Sequence, residues 1–181
     1  MLSQSYVTEG LAGTYQDVLR DATGTILWDS GPRRNTILTN CRRLLAALMR
    51  QTAGSVGIQA IHIGAGDPAW DTIPPAPTDP SRTALVDLNR ASVPLGAAQF
   101  AFLQPDSDAV APGPTNRLRV QAILGPGVPA WPDANHPTAT LREFGLVANL
   151  AGSPVLINYV VHPAIVKDPT STLERTIWLV F

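Results

Sequence analysis

The chain of 181 residues has one cysteine, two methionines, three histidines and few aromatic residues. With Cys41 alone, no disulfide can form within the chain, so packing must stabilise the fold. No segment approaches the roughly 20 apolar residues that a membrane-spanning helix needs. The first six residues have neither a basic region nor an apolar run. We therefore expect no secretory signal peptide and no membrane partner.

Charge is also scarce and evenly balanced. The 13 basic and 14 acidic residues give a net charge of -1, and so balanced a charge does not indicate binding to nucleic acid. Hydrophobic residues make up 45% of the chain, so the composition is globular. We expect a single domain over residues 1–181, which at this length buries roughly 70% of the surface that its unfolded chain exposes.

Proline and glycine, in contrast, are abundant, with 17 and 14 residues. Proline disfavours helix interiors, whereas a β fold tolerates it in connecting loops. Three Pro-rich segments are predicted to be long surface loops: 67–80, 104–116 and 125–137.

Short apolar segments separated by turn residues predict strands along most of the chain. We place them at 10–19, 24–28, 56–63, 96–103, 118–124, 141–149, 155–161 and 172–181. Residues 82–93 are compatible with a strand or a short helix. In the last strand Leu173, Ile177 and Leu179 share one face. Arg175 interrupts that face, which suggests that the strand also contacts a partner chain.

One segment has helical periodicity, and the predicted helix covers about 40–51. Its apolar stripe comprises Cys41, Leu44, Leu45, Leu48 and Met49. Thr39 or Asn40 is expected to cap its start, and Gly54 to follow its end. So short a helix needs a packing partner, so the stripe should lie on a sheet. The predicted fold is mainly β: an antiparallel β-sandwich, or a partly open barrel, with one packed α-helix.

Motifs for catalysis or metal binding are weak. Gly64-x-Gly66 follows a strand but lacks the third glycine of a dinucleotide loop, so it indicates a turn. His62, His136 and His162 have no metal-ligand spacing. No Gly-x-Ser-x-Gly motif occurs, although a triad assembled in three dimensions stays open. We predict no catalytic residue, no cofactor and no metal ion.

Two groups of residues are candidates for contacts with other molecules. Arg33 and Arg34 lie near Arg42 and Arg43, and this cluster indicates a solvated face or salt bridges to a neighbouring subunit. Trp70 and Trp131 lie in Pro-rich loops. They are either interface anchors or side chains that pin their own loops to the sandwich.

Several short motifs occur in a fixed order. The first two motifs are Ile61-His62-Ile63-Gly64-Ala65-Gly66 and Arg82-Thr83-Ala84-Leu85. The next two are Arg142-Glu143-Phe144-Gly145-Leu146 and Pro163-Ala164-Ile165-Val166-Lys167, and the last is the closing strand 173–181. This order, and most of all Arg-Glu-x-Gly-Leu, resembles a broad group of small phage tail and baseplate-associated structural proteins. The loops at 67–80 and 104–137 are longer than is typical of that group.

Glu143 in this motif also has a physical prediction. Adjacent residues of a strand point to opposite faces, so Arg142 and Glu143 diverge. A buried carboxylate is costly unless it is paired or accepts backbone hydrogen bonds. We expect Glu143 to bind the loop after Ile63, where Gly64 and Gly66 leave backbone amides accessible.

The resemblance implies a non-enzymatic virion protein: a subunit of a phage tail, collar (neck) or baseplate, made in the host cytoplasm. Its implied partners are its own copies, in a threefold or sixfold ring, and adjacent tail proteins. One alternative is a glycan- or ligand-binding β-sandwich on a tail fibre, with Trp70 or Trp131 lining a pocket. Another is an enzyme whose pocket joins two of the histidines to an acid.

Overall fold

A computed structural model describes residues 10–181. The first nine residues, to which the expectation about a signal peptide applies, lie outside the described part. Two antiparallel six-stranded sheets pack face to face around the core, so the predicted β-sandwich is confirmed, with one α-helix among residues 10–181. In the described part, no helix is long and apolar enough to cross a membrane.

The elements follow the chain in this order: β1 (Ala12–Arg20), β2 (Ile26–Asp29), β3 (Arg33–Arg34), β4 (Thr36–Ile37), α1 (Thr39–Met49), β5 (Val56–Gly64), β6 (Ala91–Pro94), β7 (Phe100–Phe102), β8 (Arg117–Leu124), β9 (Thr140–Leu150), β10 (Ser153–Leu156), β11 (Asn158–Val166) and β12 (Thr172–Val180). The first sheet has the order β2-β1-β12-β8-β7, and β3 also pairs with β1. The second has the order β4-β11-β9-β5-β6, and β10 also pairs with β9.

Most predicted strands and loops match these elements, but the short strands β3 and β4 were not predicted and several bounds differ. In the segment 96–103, a 3₁₀ turn at Ala97–Gln99 precedes the short strand β7. The segment 82–93, which the sequence left open, is irregular until β6 begins at Ala91. The irregular part of this segment covers the outer face of the second sheet.

The segment predicted as one strand at 155–161 is divided between two strands, and the predicted break at His162-Pro163 is wrong. The chain breaks at Ile157, between β10 and β11, and β11 continues through both residues to Val166. Its register against β9 shifts between Val161 and Ile165. A bulge of this kind accommodates a proline that cannot donate to the ladder.

Helix α1 also differs from the prediction at both ends. Leu38, in extended conformation, is the N-cap residue and forms no side-chain cap bond, so the expected capping by Thr39 or Asn40 is wrong. At the other end, Gln51 already adopts a positive φ of 58°, before Gly54 is reached. Cys41 and Leu44 are buried in the core, whereas Met49 is 87% exposed. The apolar stripe therefore packs on the sandwich only in its first half.

Strand β9 is buried on both faces over most of its length. Its inner side chains, such as Phe144, join the core between the sheets. Its outer side chains lie beneath the segment 81–90, where Leu85 packs with Val147, Leu156 and Tyr159. A polar residue on either face of β9 is thus shielded from water and needs an internal partner.

Candidate functional site

Glu143 is fully buried on the outer face of β9, and it accepts three hydrogen bonds. Its carboxylate oxygens accept from the amides of Val86 and Asp87 at 3.0 and 2.7 Å, and from the Tyr159 hydroxyl at 2.5 Å. Burial, and then the neighbouring Glu143, raise the pKa of Tyr159 far above its usual range, so the hydroxyl remains a donor. The prediction that Glu143 accepts hydrogen bonds from backbone amides is confirmed. Those amides belong to the segment 81–90, however, and not to the loop after Ile63.

Gly64 gives this carboxylate its space, and Gly145 lets the neighbouring strand β11 approach β9 closely. A Cβ on Gly64 would lie 2.5 Å from Oε1 of Glu143, so only glycine leaves room for the side chain there. A Cβ on Gly145 would lie 2.7 Å from the carbonyl oxygen of Asn158 on the neighbouring β11. The glycines of both motifs are therefore explained by close packing around β9.

The loop after Ile63 is bound by Arg142, the neighbour of Glu143 on the opposite face. Its guanidinium donates to both carboxylate oxygens of Asp71 at 2.8 and 2.6 Å, and to the carbonyl oxygen of Ala65 at 3.1 Å. These bonds hold the pKa of the Asp71 carboxyl below its usual value. The motif thus ties one Pro-rich loop with its arginine and a second loop with its glutamate.

A third loop, 125–137, is joined to the same network through Asp87 and His136. Asp87 Oδ2 accepts from the amide of Ala65 at 2.9 Å and lies 3.0 Å from Nε2 of His136. The other ring nitrogen of His136 lies 2.8 Å from Asp133. Trp131, only 6% exposed, stacks on this imidazole at 3.8 Å between ring centroids. Of the two alternatives for Trp131, the geometry matches the side chain that pins its own loop.

Trp70 has a different environment. It is partly buried and packs against Gly66 beside Arg142. It also lines a cavity of about 500 Å³ at the surface, together with Asp71, Pro74, Pro75 and His162. Trp70 is therefore the tryptophan of the two that meets a concave surface.

Arg175 lies inside the core, where it forms an ion pair with Asp17. Both residues are 0% exposed, and the guanidinium donates to the two carboxylate oxygens at 2.6 and 2.8 Å. Its carbon lies 3.8 Å from the ring centroid of Phe144, on the facing sheet. Arg175 interrupts the apolar face of β12 because its partner lies in the same core. Arg175 therefore does not indicate that β12 contacts a partner chain.

His162 completes this buried group. Its Nε2 lies 3.1 Å from a guanidinium nitrogen of Arg175, and its Nδ1 lies 2.8 Å from the carbonyl oxygen of Pro163. The guanidinium requires an acceptor and the carbonyl a donor, so the ring is neutral with its proton on Nδ1. Burial, and next the charge of Arg175, lower the pKa of His162 to about 4, although Asp17 opposes the shift.

The stability of the protein should therefore depend on pH through His162. Between about pH 6.5 and 4, the unfolded chain takes up a proton that the folded chain excludes. The free energy of unfolding should consequently fall as the pH is lowered through this window, by on the order of 3 kcal/mol. Urea unfolding of the wild type and of His162→Gln across the window measures the effect. Equal pH slopes for the two proteins would contradict the assignment.

The remaining candidates are dispersed. Arg33 and Arg34 are exposed on the short strand β3. His62 accepts a hydrogen bond from Arg90 at 3.0 Å, and within residues 10–181 it shares no hydrogen-bond partner with the other two histidines. Among residues 10–181, no group of three His, Cys, Asp or Glu side chains could hold a metal ion. The structure therefore does not bring the three histidines together.

Sequence reasoning missed Asp17, Asp87 and Tyr159. Asp17 left a signal, because it lies at an inward position of β1 between Tyr15 and Leu19, where an apolar residue is expected. Asp87 and Tyr159 left none, since their partners are distant in the chain. The arrangement as a whole holds three loops in fixed positions around β9. Comparisons with protein-family models, curated proteins and solved structures gave no match.

Proposed function

We propose that the chain is a non-enzymatic structural subunit of a phage tail, collar or baseplate, which assembles with its own copies and with adjacent tail proteins. The observation that carries this proposal is the role of Arg142, Glu143 and Gly145. These positions match the tail-associated proteins most specifically; in the fold Arg142 and Glu143 hold the loops in place, and Gly145 allows β11 to pack closely against β9.

Loops held in this way suit an assembly surface. Association costs the entropy of ordering whatever is mobile at the interface, and a preorganised loop reduces that cost. The proline residues of 67–80 and 125–137 restrict the same loops further. By analogy with ring-forming tail components, three or six copies are proposed, in the virion after assembly in the host cytoplasm.

The test is the mass of the native particle that contains the chain. The tagged chain is expressed together with the genes that flank its own, and complexes are separated by sedimentation. The proposal expects the chain in a large particle at a fixed stoichiometry with other proteins. Recovery only as a monomer with a tightly bound ligand would overturn it.

A second candidate function, a glycan- or small-ligand-binding module, is favoured by one specific observation. Trp70 lines a cavity of about 500 Å³, which lies in the size range of ligand sites, next to the polar side chains of Asp71 and His162. An indole face beside the partly exposed carboxylate of Asp71 is suited to stacking a sugar ring and accepting hydrogen bonds from its hydroxyls, whereas both ring nitrogens of His162 are already bonded within the protein.

This candidate makes a separate prediction. If wild type binds a glycan in a library screen, Trp70→Ala should weaken that binding by roughly tenfold or more, as loss of an aromatic anchor does. Ile73→Ala is the matched control, because Ile73 is exposed in the same loop but does not line the cavity. Equal binding by both variants would rule out the cavity as the site, and titration calorimetry supplies the affinities.

A further inference from the structure

An apolar groove opens at one end of the sandwich, where the exposed half of α1 faces the edge of the first sheet. Its volume is about 370 Å³. The groove is lined by apolar side chains from the helix, from β7 and β8 and from the last residue, among them Leu44, Leu45, Leu48, Phe102, Leu118 and Phe181. Leu48, Phe102 and Phe181 are all more than a third exposed. A surface of this kind is typical of an interaction site.

The same end of the molecule is basic. Helix α1, one wall of the groove, carries exposed Arg42, Arg43 and Arg50, and β3 beside β1 adds Arg33 and Arg34. Within residues 10–181, none of these five arginines forms a salt bridge with a carboxylate. A partner that fills the groove therefore gains from negative charge around its own apolar contact.

The opposite end of the first sheet combines exposed apolar side chains with acidic turns. Strand β1 starts beside the groove end, where Ala12 pairs with Val180, and runs about 30 Å to the turn after Arg20. Past that turn, Ile26 and Leu27 are 53% and 54% exposed.

Three turns at this end carry carboxylates: Asp21, Asp133 and Asp168. Hydrogen bonds from the Thr23 and Thr170 hydroxyls hold the pKa values of Asp21 and Asp168 below their usual range, so both are ionised at neutral pH. The nearby cations are occupied. Arg20 is paired with Glu174 at 3.2 Å, and Lys167 is buried and donates to two carbonyl oxygens. The net charge of -1 thus conceals an excess of basic groups at the groove end, where Asp108 pairs with Arg117 at the start of β8, and an excess of acidic groups at the opposite end.

We propose that the groove is occupied by a second copy of this chain, whose acidic end inserts Ile26 and Leu27 between α1 and the first sheet. The charges decide the orientation. Two copies that met groove to groove would bring their arginines together, whereas a head-to-tail contact brings arginines to aspartates. A head-to-tail contact generates a ring or an open stack. This inference rests on the proposed function, because it specifies how the copies of the subunit meet.

Two variants that each damage one end provide the test. Leu48→Glu places a carboxylate in the groove, and Leu27→Asn places an uncharged polar amide on the apolar tip, so the two altered surfaces do not attract each other. Each should raise the dissociation constant for self-association by roughly tenfold or more, measured by light scattering and native mass spectrometry. Mixed together, the variants should form a complex of two chains, twice the 19.2 kDa of one, and no larger species. Only a head-to-tail contact leaves one intact groove and one intact tip to pair.

The matched controls are Ala46→Glu, on the exposed face of α1 away from the groove, and Leu88→Asn, at an exposed apolar residue in the 81–90 segment. Both should assemble as the wild type does, and circular dichroism checks that all four variants fold. A wild-type chain that stays monomeric would overturn the inference, as would assembly that both end variants leave unchanged. Neither result removes the chain from a tail particle, which the particle-mass experiment tests separately.

Discussion

Replacing Arg175 by methionine should lower the free energy of unfolding by about 3–5 kcal/mol. The substitution leaves the carboxylate of Asp17, which is 0% exposed, without its bidentate partner. An uncompensated charge in the core is the costly outcome, because the carboxylate has lost its water and gains nothing in return. Asp17→Asn should destabilise the protein in the same direction, since it strands the guanidinium. Urea unfolding monitored by tryptophan fluorescence measures both.

The double variant Asp17→Leu/Arg175→Met separates the charge from the packing. Apolar residues of similar volume in place of a buried ion pair are often neutral or stabilising, so the double variant should recover most of the loss. The pair is also incompletely bonded, because Nη1 of Arg175 is buried and has no hydrogen-bond partner among residues 10–181. A double variant as unstable as the single ones would show that the ion pair itself stabilises the core.

The second large effect is expected for Glu143→Gln, with a loss of about 2–4 kcal/mol. A glutamine keeps the shape of the side chain but turns one acceptor oxygen into a donor. That donor would face the amide of Asp87, or the amide of Val86 and the hydroxyl of Tyr159, which are donors themselves. Chemical denaturation gives the stability, and hydrogen exchange of the Val86 and Asp87 amides gives the local effect.

Tyr159→Phe is the matched control for this substitution. It removes one of the three bonds to Glu143 and leaves both backbone amides bound, so we expect a smaller loss of about 1.5 kcal/mol. The amides of Val86 and Asp87 should stay protected from exchange in Tyr159→Phe and lose protection in Glu143→Gln. If Glu143→Gln were as stable as the wild type, the carboxylate would not be what holds the 81–90 segment.

Both predictions concern residues whose roles the sequence indicated only in outline. Glu143 was expected to bind backbone amides, because a carboxylate in an apolar strand requires donors, and this proved correct. The loop was misidentified, because Gly64 and Gly66 make room for side chains here and do not offer amides to Glu143. Which segment returns over the outer face of β9 depends on the course of the whole chain from Ser81 to Arg90, and no local pattern records that.

The two ends of α1 and the bulge in β11 have a similar explanation. Leu38 begins the helix because its backbone amide is bonded to Ile157 in the sandwich, so the helix start is set by a tertiary contact. His162-Pro163 has the local signature of a break, but β9 and the buried Arg175 keep the strand in place on both sides of it. In both cases tertiary packing outweighed local propensity.

The sequence by itself determined the β class, most strands, the single helix and the three Pro-rich loops, because alternation and proline chemistry act between neighbours in the chain. It also marked Arg175 and Glu143 as charges at positions where apolar side chains belong. Only the tertiary structure decided their partners. Asp17 is separated from Arg175 by 158 residues, and Val86 from Glu143 by 57. Such pairs depend on strand order and register, which arise when the sheets assemble, and the segregation of charge to two ends arises with them.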